Sequence, residues 1–140
     1  MQLTRTIEWH NGAVLTVDQT RLPDETAVLE MKSCEEVAEA IKTMKIRGAP
    51  LLGAAAAYAL ALTAHHSKAK TEEELVGELE KAANILRATR PTAVNLFWAI
   101  DRILGKAKGF VGNAEALSVF VVEEAQKIVD RTTREINDEK

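Results

Sequence analysis

Residues 46–50 combine an arginine, a glycine and a proline in an order that suits the binding of an anion. Arg47 stands three residues before Pro50, and proline is well tolerated in the first turn of a helix. Gly48 allows the backbone to come close to a ligand. The amides around Gly48 and Ala49 would then lie at a helix N-terminus, where unpaired N–H groups and the helix dipole attract negative charge.

Residues 89–95, with the sequence Thr-Arg-Pro-Thr-Ala-Val-Asn, repeat this arrangement. Pro91 favours an extended Arg90 and is predicted to open a helix. Arginine is permanently charged and carries a planar fork of donors, which suits a phosphate group. We therefore expect Arg47 and Arg90 to converge on one phosphate. The alternative is that both are ordinary surface arginines beside helices that begin with proline.

Cys34, the only cysteine, is predicted to have a structural role. It follows Ser33 at the start of a predicted helix, where the pKa of a thiol can fall. No acid or base motif accompanies it, however, and a free cysteine usually packs as a small hydrophobic residue. A lone cysteine also excludes an internal disulfide framework and a cysteine-rich zinc site, and we expect no metal and no cofactor.

The histidines and tryptophans are given no chemical role. We expect His10, His65 and His66 to be solvated, because two adjacent histidines point in different directions and do not have zinc-ligand spacing. Trp9 and Trp98 are predicted to be packing residues, with a place in the wall of a ligand pocket as the alternative for Trp9.

The first 32 residues predict a small antiparallel sheet of three strands. β-type residues flank Asn11 and Gly12, and Asn-Gly between such runs is a strong signal for a hairpin with a type I′ turn. Residues 27–31 predict the third strand. After Lys32 the hydrophobic period becomes helical. The fold class expected is therefore α+β and mainly helical, with the sheet followed by a bundle of about five helices.

Start signals and apolar faces place the helices. Ser33 with Glu36 and Thr71 with Glu74 each have the form of a capping box. Residues 50–64 are apolar on every side, which predicts a buried central helix. A fourth helix is expected to begin at Pro91, with residues 94, 97, 98 and 100–104 on its apolar side, and a fifth near residue 114. Residues 130–140 are almost wholly polar with no stop signal, so we expect either a frayed terminal helix or a natural chain that continues.

The composition indicates one domain, or a small lobe beside a larger one, because the chain has 140 residues, of which 46% are hydrophobic. The net charge of −3 gives no reason to expect nucleic acid. The longest apolar stretch, residues 49–64, is short for a membrane span, and no signal peptide is evident near the N-terminus. We expect a cytoplasmic protein that contacts neither nucleic acid nor membrane.

Four strings occur in order along the chain: Thr-Ile-Glu-Trp at 6–9, Asp-Gln-Thr-Arg-Leu-Pro at 18–23, Arg-Gly-Ala-Pro at 47–50 and Thr-Arg-Pro-Thr-Ala-Val-Asn-Leu at 89–96. Together they resemble the N-terminal segments of methylthioribose-1-phosphate isomerases, which are enzymes of methionine salvage. The same superfamily includes the alpha, beta and delta subunits of translation initiation factor 2B and archaeal ribose-1,5-bisphosphate isomerases. The resemblance extends over essentially all 140 residues.

The resemblance implies a substrate site and a division of labour. Family members bind the sugar phosphate partly through the residues that are Arg47, Gly48, Ala49 and Arg90 here. Their catalytic cysteine and aspartate lie in a Rossmann-like C-terminal domain, whose motifs match no segment of this chain. Residues 1–32 would form a β-subdomain and residues 33–140 the helical part of one N-terminal domain. This chain would contain no catalytic residue, and the full-length protein would be a homodimer.

Three other functions stay open. One is a regulatory subunit like those of initiation factor 2B, and another is a ribose-1,5-bisphosphate isomerase. The opening Thr-Ile-Glu-Trp and the Asp-Gln-Thr-x-Leu-Pro string favour the methylthioribose-1-phosphate isomerase, because the regulatory subunits tend to begin with helices. The third is a helical interaction module that binds no small ligand.

Overall fold

A three-stranded antiparallel sheet opens the part of the chain that the structure describes. The computed structural model describes residues 6–138, with side chains through residue 134. β1 (Ile7–His10) pairs with β2 (Ala13–Val17), which pairs with β3 (Val28–Met31). Asn11 and Gly12 have φ angles of 48° and 82°, the positive values that a type I′ turn requires. The predicted sheet and its hairpin are confirmed.

Five helices follow the sheet within the described residues: α1 (Cys34–Lys42), α2 (Ala49–His66), α3 (Glu72–Arg87), α4 (Val94–Lys108) and α5 (Ala114–Asp138). The predicted mainly helical α+β fold is confirmed. Ser33 Oγ accepts a hydrogen bond from the Glu36 amide, and Thr71 Oγ1 accepts one from the Glu74 amide, each at 3.1 Å. Both predicted caps therefore fix the starts of their helices.

The alanine-rich helix α2 is the centre of the fold. It packs against the other four helices and against β1. Every residue from Leu51 to Leu62 is buried, as its apolar circumference predicts. Ile7, Val14 and Met31 of the sheet belong to the same core as the helices. Among the helices of residues 6–138, none combines the length and apolarity needed to span a membrane.

The predicted start of α4 is wrong by three residues. Pro91 and Thr92 lie in a turn that is closed by a 3.0 Å hydrogen bond from the Ala93 amide to the Arg90 carbonyl oxygen, and α4 begins at Val94. Proline suits the second position of such a turn as well as a helix start. The buried face of α4 also differs in part from the predicted apolar side, because Trp98 and Val94 are exposed. The buried face consists of Leu96, Ala99, Ile100, Ile103, Leu104 and Ala107.

All three histidines have contacts that were not predicted, and His10 Nε2 lies 2.9 Å from Glu8 Oε1. His66 Nε2 lies 2.7 Å from the carbonyl oxygen of Gly12, so this nitrogen donates the hydrogen bond. His65 meets the ring of Trp9 edge-on at 5.6 Å, and Trp9 in turn lies 5.6 Å from Tyr58. A Cβ on Gly12 would come within 2.6 Å of His65 Cδ2. The C-terminal end of α2 thus holds the hairpin turn in place.

Candidate anion-binding site

The loop between α1 and α2 is anchored at several points, and it delivers Gly48 to the start of α2. The amides of Lys45 and Ile46 both donate to the Ala40 carbonyl oxygen, and the Ile46 side chain is fully buried. The amide of Gln19 donates to the Lys45 carbonyl oxygen at 2.9 Å, which ties the strand connection to this loop. Gly48 has a φ of 96° and is the N-cap of α2. Other residues rarely adopt this φ.

The short turn of residues 90–93 positions Arg90 at the start of α4. Ala93 is the N-cap, and the Phe97 amide donates to its carbonyl oxygen at 3.2 Å. Arg90 is half-buried, whereas Arg47 is exposed. The two arginines therefore differ in their surroundings, although their sequence contexts look alike.

The first turns of α2 and α4 line one pocket with a volume of about 420 Å³. The pocket is open to solvent at the surface. Its lining consists of Gly48, Ala49, Leu52, Arg90, Thr92, Ala93, Val94 and Asn95. Three of the four residues predicted to hold the phosphate are therefore together. Arg47 is absent from the described lining, and its convergence with Arg90 stays a prediction.

The two helices at this pocket begin without a side-chain cap. Gly48 and Ala93 cannot supply an oxygen acceptor from a side chain, and neither helix start has a side-chain cap hydrogen bond. In contrast, Ser33, Thr71 and Asn113 cap the starts of α1, α3 and α5. An uncapped first turn leaves its backbone amides to solvent or to a ligand. Two such turns and one guanidinium group make this pocket electropositive.

A second pocket of about 230 Å³ adjoins the first at Asn95. It lies between the starts of α2 and α4 and the middle of α5. Its lining consists of Pro50, Gly53, Asn95, Trp98, Ile128, Arg131 and Thr132. Neither Trp98 nor Arg131 was predicted to be at a site. Nothing in the local sequence indicates their proximity, because they lie on helices that meet only in the folded chain.

Cys34 is buried, and its Sγ lies 3.6 Å from the Ala82 carbonyl oxygen. Burial, with a smaller contribution from Glu35, raises the pKa of this thiol to about 12. A thiolate is therefore strongly disfavoured at neutral pH, which agrees with the structural role predicted for Cys34. Within residues 6–134, no group of three His, Cys, Asp or Glu side chains is placed to hold a metal ion.

Residues 45–139, more than half of the chain, match the initiation factor 2 subunit family. The chain belongs to this family. The methylthioribose-1-phosphate isomerase of Trichormus variabilis is 49% identical over 120 residues, which cover 86% of this chain and 35% of that protein. Methylthioribose-1-phosphate isomerase 2 of Pseudothermotoga lettingae is 46% identical over 137 residues, which cover 98% of this chain and 39% of the relative.

Solved structures show the same fold. The crystal structure of 5-methylthioribose 1-phosphate isomerase from Pyrococcus horikoshii matches 94% of this chain with a TM-score of 0.88 and 48% identity. Subunit delta of translation initiation factor eIF-2B from A. fulgidus matches 91% with a TM-score of 0.84 and 42% identity. The chain spans 37% of each of these proteins. The chain therefore spans between about a third and two fifths of the length of these relatives.

Proposed function

We propose that this chain is the phosphate-binding part of a methylthioribose-1-phosphate isomerase. The reaction converts 5-methylthioribose 1-phosphate to 5-methylthioribulose 1-phosphate, a step of methionine salvage. The observation that carries the proposal is the meeting of two uncapped helix starts with Arg90 around one pocket. The identity of 46–49% to enzymes with this name supports the choice of substrate.

The pocket offers a phosphate three kinds of favourable interaction. The backbone amides of both first turns, other than at Pro50, which has no N–H, can donate to its oxygens, and both helix dipoles place positive potential there. The half-buried guanidinium group of Arg90 can donate two parallel hydrogen bonds to the same group. Gly48 and Ala49 leave room for the ligand to approach the backbone, because neither carries a large side chain.

Binding of this kind positions a substrate and does not itself move a proton. Isomerisation needs positioned acid and base groups, and no acid or base belongs to the lining of the phosphate pocket. Since the relatives are roughly three times as long, we assign the proton transfer to a part of the protein outside residues 1–140. The contribution of this chain is orientation and affinity, which make the later chemical step more probable. The homodimer expected for the full-length protein stays a prediction.

Calorimetric titration with methylthioribose 1-phosphate tests the proposed site. Arg90→Ala is expected to weaken binding by about 1.5–3 kcal/mol, the usual cost of losing a hydrogen bond to a charged group. Arg21→Ala is the matched control, because it removes the same charge from an exposed side chain that pairs with Glu25 at 2.7 Å. Equal affinities of the two variants would show that the phosphate lies elsewhere.

A regulatory subunit is the second candidate. The specific observation in its favour is the match to the A. fulgidus protein that is described as an initiation factor subunit. The two candidates differ in turnover. The full-length protein should isomerise methylthioribose 1-phosphate under the first, whereas under the second it should bind a sugar phosphate and leave it unchanged.

A further inference from the structure

The turn between α3 and α4 holds the backbone of Arg90 from both sides. On the C-terminal side, Pro91 has a fixed φ and favours an extended Arg90. The Arg90 carbonyl oxygen also accepts a hydrogen bond from the Ala93 amide at 3.0 Å. On the N-terminal side lies Thr89, a half-buried residue that follows the end of α3 at Arg87. The backbone of Arg90 therefore has little freedom as long as Thr89 is fixed.

Thr89 is fixed by two hydrogen bonds to one carbonyl group. Its amide donates to the Leu86 carbonyl oxygen at 3.1 Å, and its Oγ1 donates to the same oxygen at 2.5 Å. This carbonyl group belongs to the last turn of α3, where the helix supplies no donor of its own. The Leu86 side chain is fully buried. The hydroxyl group of Thr89 thus ties the turn to a residue of the core.

An ion pair also connects α3 with α4, but it is the weaker connection. Arg87, the last residue of α3, donates to the carboxylate of Asp101 in α4 at 2.7 Å. Their side chains are 35% and 66% exposed, and exposed ion pairs contribute little to stability. The hydroxyl group of Thr89 is therefore the stronger of the two in holding the turn.

α1 ends in a similar way before the other segment at the phosphate pocket. The amide and the Oγ1 of Thr43 donate to the Glu39 carbonyl oxygen at 3.0 and 2.9 Å. Thr43 is the C-cap of α1, and Gly48 follows five residues later. A threonine at a helix end thus precedes each of the two segments that line the pocket. This recurrence supports a role for the hydroxyl groups in placing the segments.

We propose that Thr89 is the positioning residue of Arg90, because its hydroxyl group holds the turn in the place from which the guanidinium group meets the phosphate. This inference rests on the proposed function. Thr89 does not belong to the described lining of the phosphate pocket, so it acts through Arg90 and not by touching the ligand. A backbone that is fixed beforehand leaves less conformational freedom to be lost on binding, which raises the affinity.

Thr89→Val tests the proposal, because it removes the hydroxyl group and keeps a branched side chain. Binding of methylthioribose 1-phosphate to the full-length protein would be measured by calorimetry. We expect the affinity to fall about 10-fold, since a small displacement of a binding group is costly. Thr89→Ser keeps the hydroxyl group and should restore most of the affinity. Thr63→Val is the matched control, because the Thr63 hydroxyl group donates to the Ala59 carbonyl oxygen at 3.1 Å near the other end of α2. It should bind as the wild type does.

A double-mutant cycle separates positioning from a general effect on the fold. In the Arg90→Ala background, Thr89→Val should cause no further loss of affinity, because the residue that it positions has been removed. An equal loss in both backgrounds would overturn the inference. So would wild-type affinity in Thr89→Val, or a Thr89→Ser variant as weak as Thr89→Val. Wild-type affinity in Arg90→Ala itself would instead refute the phosphate site, and the inference would fall with it.

Discussion

Gly53 of α2 lies against the backbone of Asn95 in α4. A Cβ on Gly53 would stand 3.2 Å from the Asn95 carbonyl oxygen and 3.5 Å from the Asn95 Cβ. Only a residue without a side chain leaves this approach unstrained. Asn95 lines both pockets, so the close contact with Gly53 fixes the position of the residue that separates them.

Gly53→Ala is expected to destabilise the fold by about 1–3 kcal/mol, because the start of α4 must move away from α2 to admit the methyl group. Urea unfolding at pH 7 measures the change. Gly105→Ala in α4 is the control. Its added Cβ would meet nothing within 4 Å, so it should stabilise the helix by about 0.5–1 kcal/mol. Equal stabilisation by both variants would contradict the close approach.

Gly48→Ala is expected to cost about 1–3 kcal/mol, the range for a residue held in an unfavourable backbone conformation. The reason is its φ of 96° and not crowding, because a Cβ there would meet nothing within 4 Å. Gly77→Ala, which also adds a methyl group into open space but within helix α3, should be stabilising. The melting temperatures of the Gly48→Ala and Gly77→Ala variants are compared by thermal unfolding. Neither added methyl group has a contact, so a difference between them reports the backbone strain at Gly48. A stabilising Gly48→Ala would refute this strain.

Cys34 should resist alkylation in the folded protein. Its pKa of about 12 leaves almost no thiolate at pH 8, whereas the thiol of the unfolded chain has its ordinary value of 9.0. Iodoacetamide labelling should therefore be fast in urea and slow in buffer. The folded state keeps the proton that the unfolded state loses between pH 9 and 12, so the contribution of Cys34 to stability falls as pH rises through that window. Fast labelling in buffer would contradict the burial.

Cys34→Ser is the corresponding test of function. Because Cys34 is given no part in the chemistry, the variant should keep the kcat of a full-length enzyme once folding is confirmed by circular dichroism. A hundredfold loss of kcat in a folded variant would show that its structural assignment is wrong.

Glu124 of α5 is 4% exposed, and its carboxylate forms an ion pair with Lys106 of α4. Burial alone would raise its pKa, but hydrogen bonds from Lys106 at 3.2 Å and Lys127 at 3.3 Å outweigh burial and lower the pKa below 4.5. Its stabilising effect is thus present above pH 4.5 and is lost as the pH falls through the lowered value.

Glu124→Gln should therefore cost about 1 kcal/mol at pH 7, discounted because both lysines are largely exposed. The difference from the wild type should shrink as the pH falls below 4.5. Glu80→Gln is the control, because Glu80 and Lys108 form an exposed pair at 3.3 Å and such pairs contribute little. A pH-independent cost for Glu124→Gln would mean that the charge is not what matters.

Residues 1–140 alone are expected to bind methylthioribose 1-phosphate weakly and to turn none of it over. Affinity without positioned proton-transfer groups does not accelerate a chemical step. A coupled assay for the ketose product, with the full-length protein as the positive control, measures this. Turnover by the purified 140-residue chain would place the chemistry among the residues described above.

Local rules in the sequence determined most of the elements. Asn11 and Gly12 predict the hairpin because few other residue pairs tolerate two positive φ angles. Ser33 and Thr71 predict helix starts because their hydroxyl groups satisfy first-turn amides from a distance of three residues. The apolar circumference of α2 requires burial on all sides, and burial on all sides is possible only at the centre of a bundle.

Pro91 shows where local rules stop. Its fixed φ fits both a helix start and the second position of a turn, and the hydrogen bond between Ala93 and Arg90 selects the turn. The buried face of α4 is decided separately, by the packing of this helix against α2, α3 and α5, and that packing leaves Trp98 44% exposed.

The sequence alone determined that Arg47, Gly48, Ala49 and Arg90 are of a type that suits phosphate. The tertiary structure decided that Arg90 shares a pocket with Gly48 and Ala49, and that Asn95 joins this pocket to the one lined by Trp98. The physical reason is the packing of α2, α4 and α5. Which side chains from distant segments become neighbours depends on how closely the helices approach each other. Gly53 permits a close approach, but the sequence does not say that Asn95 of α4 is the residue that packs against it.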